Sequence, residues 1–288
     1  MAGPALALVV NAFVWGVSWW PFRQLGQAGL HPLAATTLIY LVAVVALAFW
    51  WPRAWREVLS HPALWVLVVA SGTTNAAFNW AVTIGDVVRV VLLFYLMPLW
   101  AVLLARLLLH ERLTRLALLR VALALGGAMV ILWPEGGGWP LPRTLPEFLG
   151  VLGGFAFALN NVMLRREAAR SEGARAMAMF AGGALVAAVL ATVLTLQGHV
   201  PGLPAPAFGW IAGAFGMGAA FLVANLSLQY GAARLPANAT AVIMLTEVLF
   251  ASVSALALGA GTMDARLAAG GLAIVAAALL AAREHHAH

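Results

Sequence analysis

The residues best suited to chemistry in this sequence are one acid and several amides that stand inside apolar stretches. Glu247 lies in the middle of the apolar run 236–258, with no Lys or Arg within one helical turn. An acidic side chain at such a place in a membrane costs about 2.5–3.5 kcal/mol on insertion scales and must face protein or water. Two roles fit Glu247: a site for a proton or a substrate amine, or a hydrogen-bonded anchor between helices.

The amides form a second set of candidates. Asn75 and Asn79 are four residues apart, so they would share one face of a helix, and Asn160, Asn161 and Asn225 lie in two other apolar runs. A buried amide needs a hydrogen-bond partner. One interpretation is that these side chains join helices, at about 0.6 kcal/mol per contact. The other is that they line one cavity and bind the amine and carboxylate of a zwitterion without a fixed charge.

Aromatic and thioether side chains predict an apolar wall for the same cavity. Most Trp residues stand at the ends of apolar runs, where indole rings anchor proteins in the headgroup region. Trp15, Tyr95 and Trp100 lie deeper, and Phe78 and Met163 accompany them. These five residues complete our candidate binding set together with the acid, the amides and Pro98.

Pro98 predicts a bend in the helix that carries it, because proline has no backbone N–H to donate. Tyr95, Pro98 and Val102 follow helical spacing, so they would share one face and Trp100 would point away from it. We expect Tyr95 and Pro98 to face the cavity. Trp100 then faces either the cavity or lipid.

The elements that must position these residues are membrane helices. Apolar residues make up 64% of the 288, charged residues 9%, and the mean hydropathy is +0.95. Soluble domains are nearer one half apolar and one quarter charged. We predict an all-α integral membrane protein with ten transmembrane helices of about 20 residues each, at residues 4–22, 32–51, 63–83, 87–108, 115–133, 146–165, 175–197, 206–229, 236–258 and 266–283.

The ten predicted helices divide into two related halves. Asn79 stands six residues before Gly85, and Asn225 stands six residues before Gly231. The Pro- and Gly-rich connector 134–140 separates residues 1–138 from residues 139–288, with five helices on each side. Because five is odd, the second half would enter the membrane from the opposite side, which makes an inverted repeat.

The positions of the arginines predict the orientation. With ten helices, 12 of the 16 basic residues fall on the side of the two termini, and 4 fall on the other side, namely Arg23, Arg89, Arg143 and Arg266. Cytoplasmic turns carry the excess of basic residues, so both termini are predicted to be cytoplasmic. We place the protein in a bacterial inner membrane.

Several classes of protein are disfavoured by what the sequence lacks. There is no cysteine, no phosphate-binding loop, no nucleophile elbow and no His-Glu-x-x-His motif. We predict neither an enzyme nor a cofactor or metal site. The formal charge of +6 comes from arginines between apolar runs, which indicates contact with the lipid bilayer rather than with nucleic acid. Helix packing within a monomer explains the close-packing glycine patterns.

The motifs resemble those of the drug/metabolite transporter superfamily, and in particular its EamA-type exporters. The resemblance rests on Trp15-Gly16 in the first helix, Pro98 followed 13 residues later by Glu111, and glycine pairs in helices five and ten, Gly126-Gly127 and Gly270-Gly271. The second half departs from the pattern, since Val248 follows Glu247 where Pro is usual and Gly261 replaces a second acid.

Within the superfamily, the chain is most similar to bacterial aromatic amino-acid exporters of the YddG type. This resemblance implies a secondary transporter that exports aromatic amino acids by alternating access. Two alternatives stay open from the residues: a multidrug or other metabolite carrier of the same fold, and a passive channel for small neutral solutes.

Overall fold

The computed structural model describes residues 2–110, 115–133, 139, 141–232, 243–244 and 246–283. All regular structure in these residues is helical, in agreement with the predicted all-α class. The helices, numbered here in chain order, are α1 Ala2–Val17, α2 Trp19–Gln27, α3 Pro32–Trp50, α4 Ala54–Ser60, α5 Pro62–Ile84, α6 Val87–Phe94, α7 Met97–Leu108, α8 Arg115–Leu132, α9 Leu145–Arg166, α10 Glu172–Leu196, α11 Phe208–Ala232, α12 Thr246–Ala257 and α13 Ala265–Arg283.

Six helical segments are long and apolar enough to cross a membrane: Gly3–Gln27, Pro32–Trp50, Val87–Leu108, Leu145–Arg166, Glu172–Leu196 and Phe208–Leu228. Three of the other predicted spans coincide with α5, α8 and α13, and α12 covers residues 246–257 of the predicted span 236–258. Many large apolar side chains point outward, and Phe49, Leu196 and Phe208 are each more than 80% exposed. Such a surface requires lipid, so the protein is a multi-pass membrane protein.

Two predicted spans are each built from two helices. The first is interrupted between α1 and α2, where the backbone N–H and the hydroxyl of Ser18 both donate to the Trp15 carbonyl, at 3.2 and 2.8 Å. The fourth is interrupted at Tyr95–Leu96, between α6 and α7.

The sequence predicted that Pro98 would bend a continuous fourth helix. The structure instead has two helices, α6 and α7, separated by a turn at Tyr95–Leu96. Pro98 is the second residue of α7, so its missing N–H falls where a helix start needs no donor. Because α6 ends and α7 begins before Pro98, the proline does not remove a hydrogen bond from the interior of a helix. Helical spacing from Tyr95 to Val102 therefore does not hold, since the turn at Tyr95–Leu96 separates the first residue from the other two.

The bundle is centred on α5, which packs against α9 on one side and α10 on the other. Glycines allow the α5–α10 contact: a Cβ added to Gly72 would collide with the Gly182 carbonyl, and one added to Gly182 would collide with the Val68 carbonyl. Helix α1 packs against α11 and α12, and α8 pairs with α13. These contacts leave a cavity near the middle of the bundle.

Candidate functional site

The cavity has a volume of about 330 Å³. This lies at the lower end of the 300–1,000 Å³ typical of small-molecule sites, so it suits one small solute. The described residues that line it come from both halves of the sequence: Asn11, Trp15, Tyr40, Ser71, Thr74, Asn75, Phe78, Phe94, Tyr95, Met97, Phe157, Asn160, Asn161, Met179, Phe180, Asn225, Leu228, Met244 and Glu247.

An acid and a phenol meet at one wall of the cavity. The Tyr95 hydroxyl donates to Oε2 of Glu247 over 3.3 Å. Tyr95 reaches this position because it sits in the turn between α6 and α7. Glu247 is held by α12, whose backbone lies so close to α1 that a Cβ on Gly16 would be 2.8 Å from the Glu247 carbonyl oxygen. Glu247 is therefore held close to both α1 and the α6–α7 turn.

Two other amide side chains of the cavity wall, those of Asn11 and Asn160, have an oxygen that accepts no hydrogen bond from the described residues. Asn11 donates its Nδ2 to the Ala224 carbonyl at 2.7 Å, which ties α1 to α11. Asn160 approaches Oδ1 of Asn161 at 3.5 Å through its Nδ2. Neither Oδ1 of Asn11 nor Oδ1 of Asn160 has a hydrogen-bond partner within the described part of the chain. Both side chains are at least 98% buried.

A third amide belongs to a closed network between α3 and α5. The Tyr40 hydroxyl donates to Oδ1 of Asn75 at 2.5 Å, and Nδ2 of Asn75 donates to the Ser71 carbonyl at 2.8 Å. The Ser71 hydroxyl donates in turn to the Met179 carbonyl of α10 at 3.0 Å. This network joins three helices at the cavity wall.

Aromatic rings supply much of the remaining wall. Phe94 contacts both Phe78 and Phe157, with centroid distances of 4.8 and 5.4 Å. Trp15 stacks on Phe221 at 4.3 Å with an interplanar angle of 18°. The rings therefore pack against one another as well as lining the cavity.

One end of the bundle is fastened by polar contacts around α6. Asp86 caps α6 by accepting from the Arg89 N–H, and its other oxygen accepts from the N–H of Thr262 at 2.7 Å. The Val87 N–H donates to the Ala260 carbonyl at 3.2 Å. An ion pair joins Nε of Arg89 to Oε1 of Glu147 at 2.8 Å, although its N–H is not aligned for a hydrogen bond. Helix α6 is thus linked to α9 and to the turn between α12 and α13.

Eight of the twelve predicted site residues line the cavity: Trp15, Asn75, Phe78, Tyr95, Asn160, Asn161, Asn225 and Glu247. The side chain of Pro98 lies outside the described residues. The other three predicted residues lie elsewhere, each for a physical reason.

Asn79 lies beyond the cavity, because it is fully buried between α5 and α3 and donates to the Thr36 hydroxyl at 3.1 Å. Trp100 packs against Phe155 of α9 with centroids 5.5 Å apart and planes at 87°, so it faces a neighbouring helix rather than the cavity. Met163 is 2% exposed and fills the apolar core that surrounds α3 and α10.

Four of the cavity residues that we did not predict lie one helical turn from ones that we did, whereas Tyr40, Met179 and Phe180 stand on α3 and α10, where no site residue was predicted. Asn11 precedes Trp15 by four residues, and Ser71 precedes Asn75 by four. Phe157 precedes Asn160 by three, and Met244 precedes Glu247 by three. Residues three and four apart share a helix face. Extending each candidate by one turn would have found these positions.

No group of three or more metal-binding side chains occurs in the described part of the chain.

A comparison with protein families matches residues 3–133 to the EamA-like transporter family. Those residues are similar to that family. The EamA-like stretch ends close to the boundary that the sequence predicted between the two halves, and it contains Trp15, Asn75, Phe78 and Tyr95 of the cavity.

An uncharacterized transporter of Pseudomonas aeruginosa is 34% identical over 130 residues. The match covers 43% of this chain and 44% of the relative, so it spans less than half of either protein. One crystal structure of a protein has the same fold over 98% of this chain and 96% of its own, with a TM-score of 0.56 and 18% identity. That likeness extends to the fold alone.

Proposed function

We propose that the protein is a secondary transporter that exports aromatic amino acids, and related small amphipathic solutes, across the inner membrane of a bacterium by alternating access. The observation that carries this proposal is the cavity itself. It lies between helices of both halves, it has room for one small solute, and its wall combines rings, thioethers and amides with a single described acid, Glu247. The EamA-like stretch supports transport as the general activity.

In an inverted repeat that works by alternating access, each helix contact should have a counterpart between the equivalent helices of the other half. In the proposed repeat, α1–α2 corresponds to α9, α3 to α10, α5 to α11, α6–α7 to α12 and α8 to α13. The contact of α5 with α9 then has a counterpart in α11 with α1, and that of α5 with α10 in α11 with α3. The contact of α6–α7 with α9 corresponds to α12 with α1. Pairs that map onto themselves, α3–α10, α6–α12 and α8–α13, are also in contact.

The cargo assignment rests on the chemistry of the wall. A solute ring can pack against Phe78, Phe94 and Phe157, and burial of a ring contributes about 2–3 kcal/mol. Its polar end would face Glu247 and the amides. Binding of this kind is weak, because ordering the solute offsets part of the gain. Weak binding suits a carrier that must also release its cargo.

The proposal is tested by transport in proteoliposomes. We expect labelled phenylalanine to accumulate inside vesicles that contain the protein, and we expect unlabelled phenylalanine to accelerate the exit of labelled phenylalanine. Uptake no faster than in protein-free vesicles, across a panel of amino acids, would contradict the cargo assignment. Flux that never saturates would instead indicate a passive channel.

A further inference from the structure

We propose that the cavity recognises its solute through an ammonium group, which Glu247 and the amide oxygens of Asn11 and Asn160 accept, and that a carboxylate on the solute is not required. The inference rests on the proposed function, because it specifies which part of an amino acid the carrier holds. It predicts that aromatic amines without a carboxylate enter the same site.

The hydroxyl donors at the cavity wall are already engaged with the protein. Those of Tyr40 and Tyr95 donate to Asn75 and Glu247, as described above. The Thr74 hydroxyl donates to the Ala70 carbonyl one turn back at 2.8 Å, and that of Ser71 donates to Met179. To bind to a hydroxyl, a solute acceptor such as a carboxylate would have to displace one of these bonds.

The acceptors at the wall are in the opposite situation. Oδ1 of Asn11 and Oδ1 of Asn160 have no donor among the described residues. The orientation of the Asn11 amide is fixed, since its nitrogen faces the Ala224 carbonyl and only a nitrogen can donate there. Buried polar groups are nearly always paired. Oδ1 of Asn79 is unpaired as well but lies away from the cavity, so Asn11 and Asn160 carry the two unpaired amide oxygens that belong to cavity residues and that a hydrogen-bond donor on the solute would satisfy.

Charge distinguishes an ammonium group from a neutral donor such as water. Among the described residues that line the cavity there is no Lys, Arg or His, and Glu247 is the one acid. An ammonium group carries three N–H donors and a positive charge, and it has no acceptor. Trp15 and Phe94 line the same cavity, and aromatic rings attract a cation that lies over a ring face. A carboxylate would meet Glu247 as a like charge, with only neutral amides such as that of Asn161 to bind it.

The experiment compares two ligands that share a ring and differ in charge. Phenethylamine and 3-phenylpropionate are titrated calorimetrically into the full chain in nanodiscs. We expect the amine to bind at least tenfold more tightly than the acid. Equal affinities, tighter binding of the acid, or no binding of the amine would each overturn the inference.

Variants locate the ammonium group. We expect Glu247→Gln to weaken phenethylamine binding at least tenfold and to leave binding of uncharged phenethyl alcohol within twofold. Asn160→Asp replaces an amide acceptor by an acid and should tighten amine binding. Glu172→Gln is the matched control, because Glu172 is an exposed acid in the first turn of α10. Amine affinity that is equal in Glu247→Gln and Glu172→Gln would contradict the assignment, and melting curves of all variants check that they fold.

The outcomes separate this inference from the transport proposal. If phenylalanine is exchanged but phenethylamine neither binds nor competes, the ammonium site is wrong and the transporter stands. If phenethylamine binds and no amino acid is transported, the cargo assignment is wrong and the ammonium site stands.

Discussion

At the scale of single residues, Gly154 lies against the main-chain carbonyl of Phe94. That carbonyl stands four residues before Pro98, which has no N–H to donate to it. A Cβ on Gly154 would collide with this oxygen, and one on Gly153 would press on the Phe94 ring at 3.2 Å. Because Gly153 and Gly154 have no side chains, α9 can pack directly against the Phe94 carbonyl, which receives no hydrogen bond from Pro98.

We expect Gly154→Ala to lower the free energy of unfolding by about 1–3 kcal/mol, the usual cost of overpacking. The reason is that α9 or the α6–α7 turn must move to admit the methyl group. Gly216→Ala in α11 is the control, because nothing lies within 4 Å of a Cβ built there. Denaturant unfolding of both variants in the same detergent measures the difference. Equal stabilities would mean that the Phe94 contact is readily relaxed.

The Tyr40–Asn75 pair supports a second prediction. Tyr40→Phe leaves a buried amide oxygen without its donor, which costs about 1–3 kcal/mol. Tyr95→Phe should cost less, since the hydrogen bond from its hydroxyl to Glu247 is longer, at 3.3 Å against 2.5 Å. A double-mutant cycle of Tyr40→Phe with Asn75→Leu isolates the pair. A coupling energy near zero would show that this hydrogen bond contributes nothing to stability.

How far the cavity was predictable also depends on single residues. Deep polar side chains such as Glu247 and Asn160 stand out in an apolar sequence, because lipid tolerates them only beside protein or water. Asn79 has the same signal but is bonded to Thr36 of α3. The sequence of one helix contains no information about the partner on the next. Phe157 and Met97 have no signal of their own, since rings and thioethers are common in every apolar run.

At the scale of elements, α6 is bonded to segments that lie much further along the chain. Its N-terminus is bonded through Asp86 to Thr262, and Arg89 is paired with Glu147. Gly261 approaches Val88 so closely that a Cβ there would lie 2.7 Å from it. These contacts close one end of the structure beside the cavity.

We expect Asp86→Ala to loosen that end, because it removes both the cap of α6 and the bond to Thr262; loss of the cap alone costs about 1 kcal/mol. Val88→Cys provides the probe, since the natural chain has no cysteine and Val88 is 1% exposed. Labelling of Cys at this position by a membrane-impermeant maleimide should become faster.

Asp264→Ala is the control for that experiment. Asp264 accepts from the Leu267 N–H and so caps α13, without the bond to α6 that Asp86 makes through Thr262. An equal rise in labelling for both variants would mean that any lost cap loosens this end, and that the bond to Thr262 has no special role.

The interrupted spans show the limit of prediction for elements. Apolar length predicts single spans at 4–22 and 87–108, and the helical segments Gly3–Gln27 and Val87–Leu108 both have the length and hydropathy of one. Pro98 predicted a distortion in the right region. That the chain starts a new helix at Met97 depends on α9 and α12, which contact the exposed backbone and Tyr95. A local pattern cannot report contacts of such long range.

At the scale of the whole molecule, the membrane character follows from composition alone, and the fold over nearly the full chain is shared with a solved structure. The ten-span inverted arrangement remains a proposal that the paired helix contacts support. The sequence indicated the repeat through Asn79 and Asn225, although the two have different surroundings: one is buried against α3 and the other lines the cavity.

The topology can be tested with single cysteines. Ser171 donates its hydroxyl to Glu57 at 2.6 Å, so α4 and the turn after α9 share one face of the membrane. Helix α10 has 25 residues, about 37 Å at 1.5 Å per residue, and therefore ends on the other face. We expect Ser60→Cys to react with an impermeant reagent only after the inner membrane is opened, and His199→Cys to react in intact spheroplasts. Labelling of both from one side would contradict the proposed orientation.

The interruption at Tyr95 has a consequence for how the nascent chain matures. Helix α6 has eight residues, about 12 Å, which is far short of a bilayer, so residues 87–108 must leave the ribosome and insert as one piece. An uncovered carbonyl in hydrocarbon is unfavourable by several kcal/mol. Gly154 and Glu247, which lie against this joint, are translated later. The first half therefore reaches its mature shape only after synthesis of the second is well advanced.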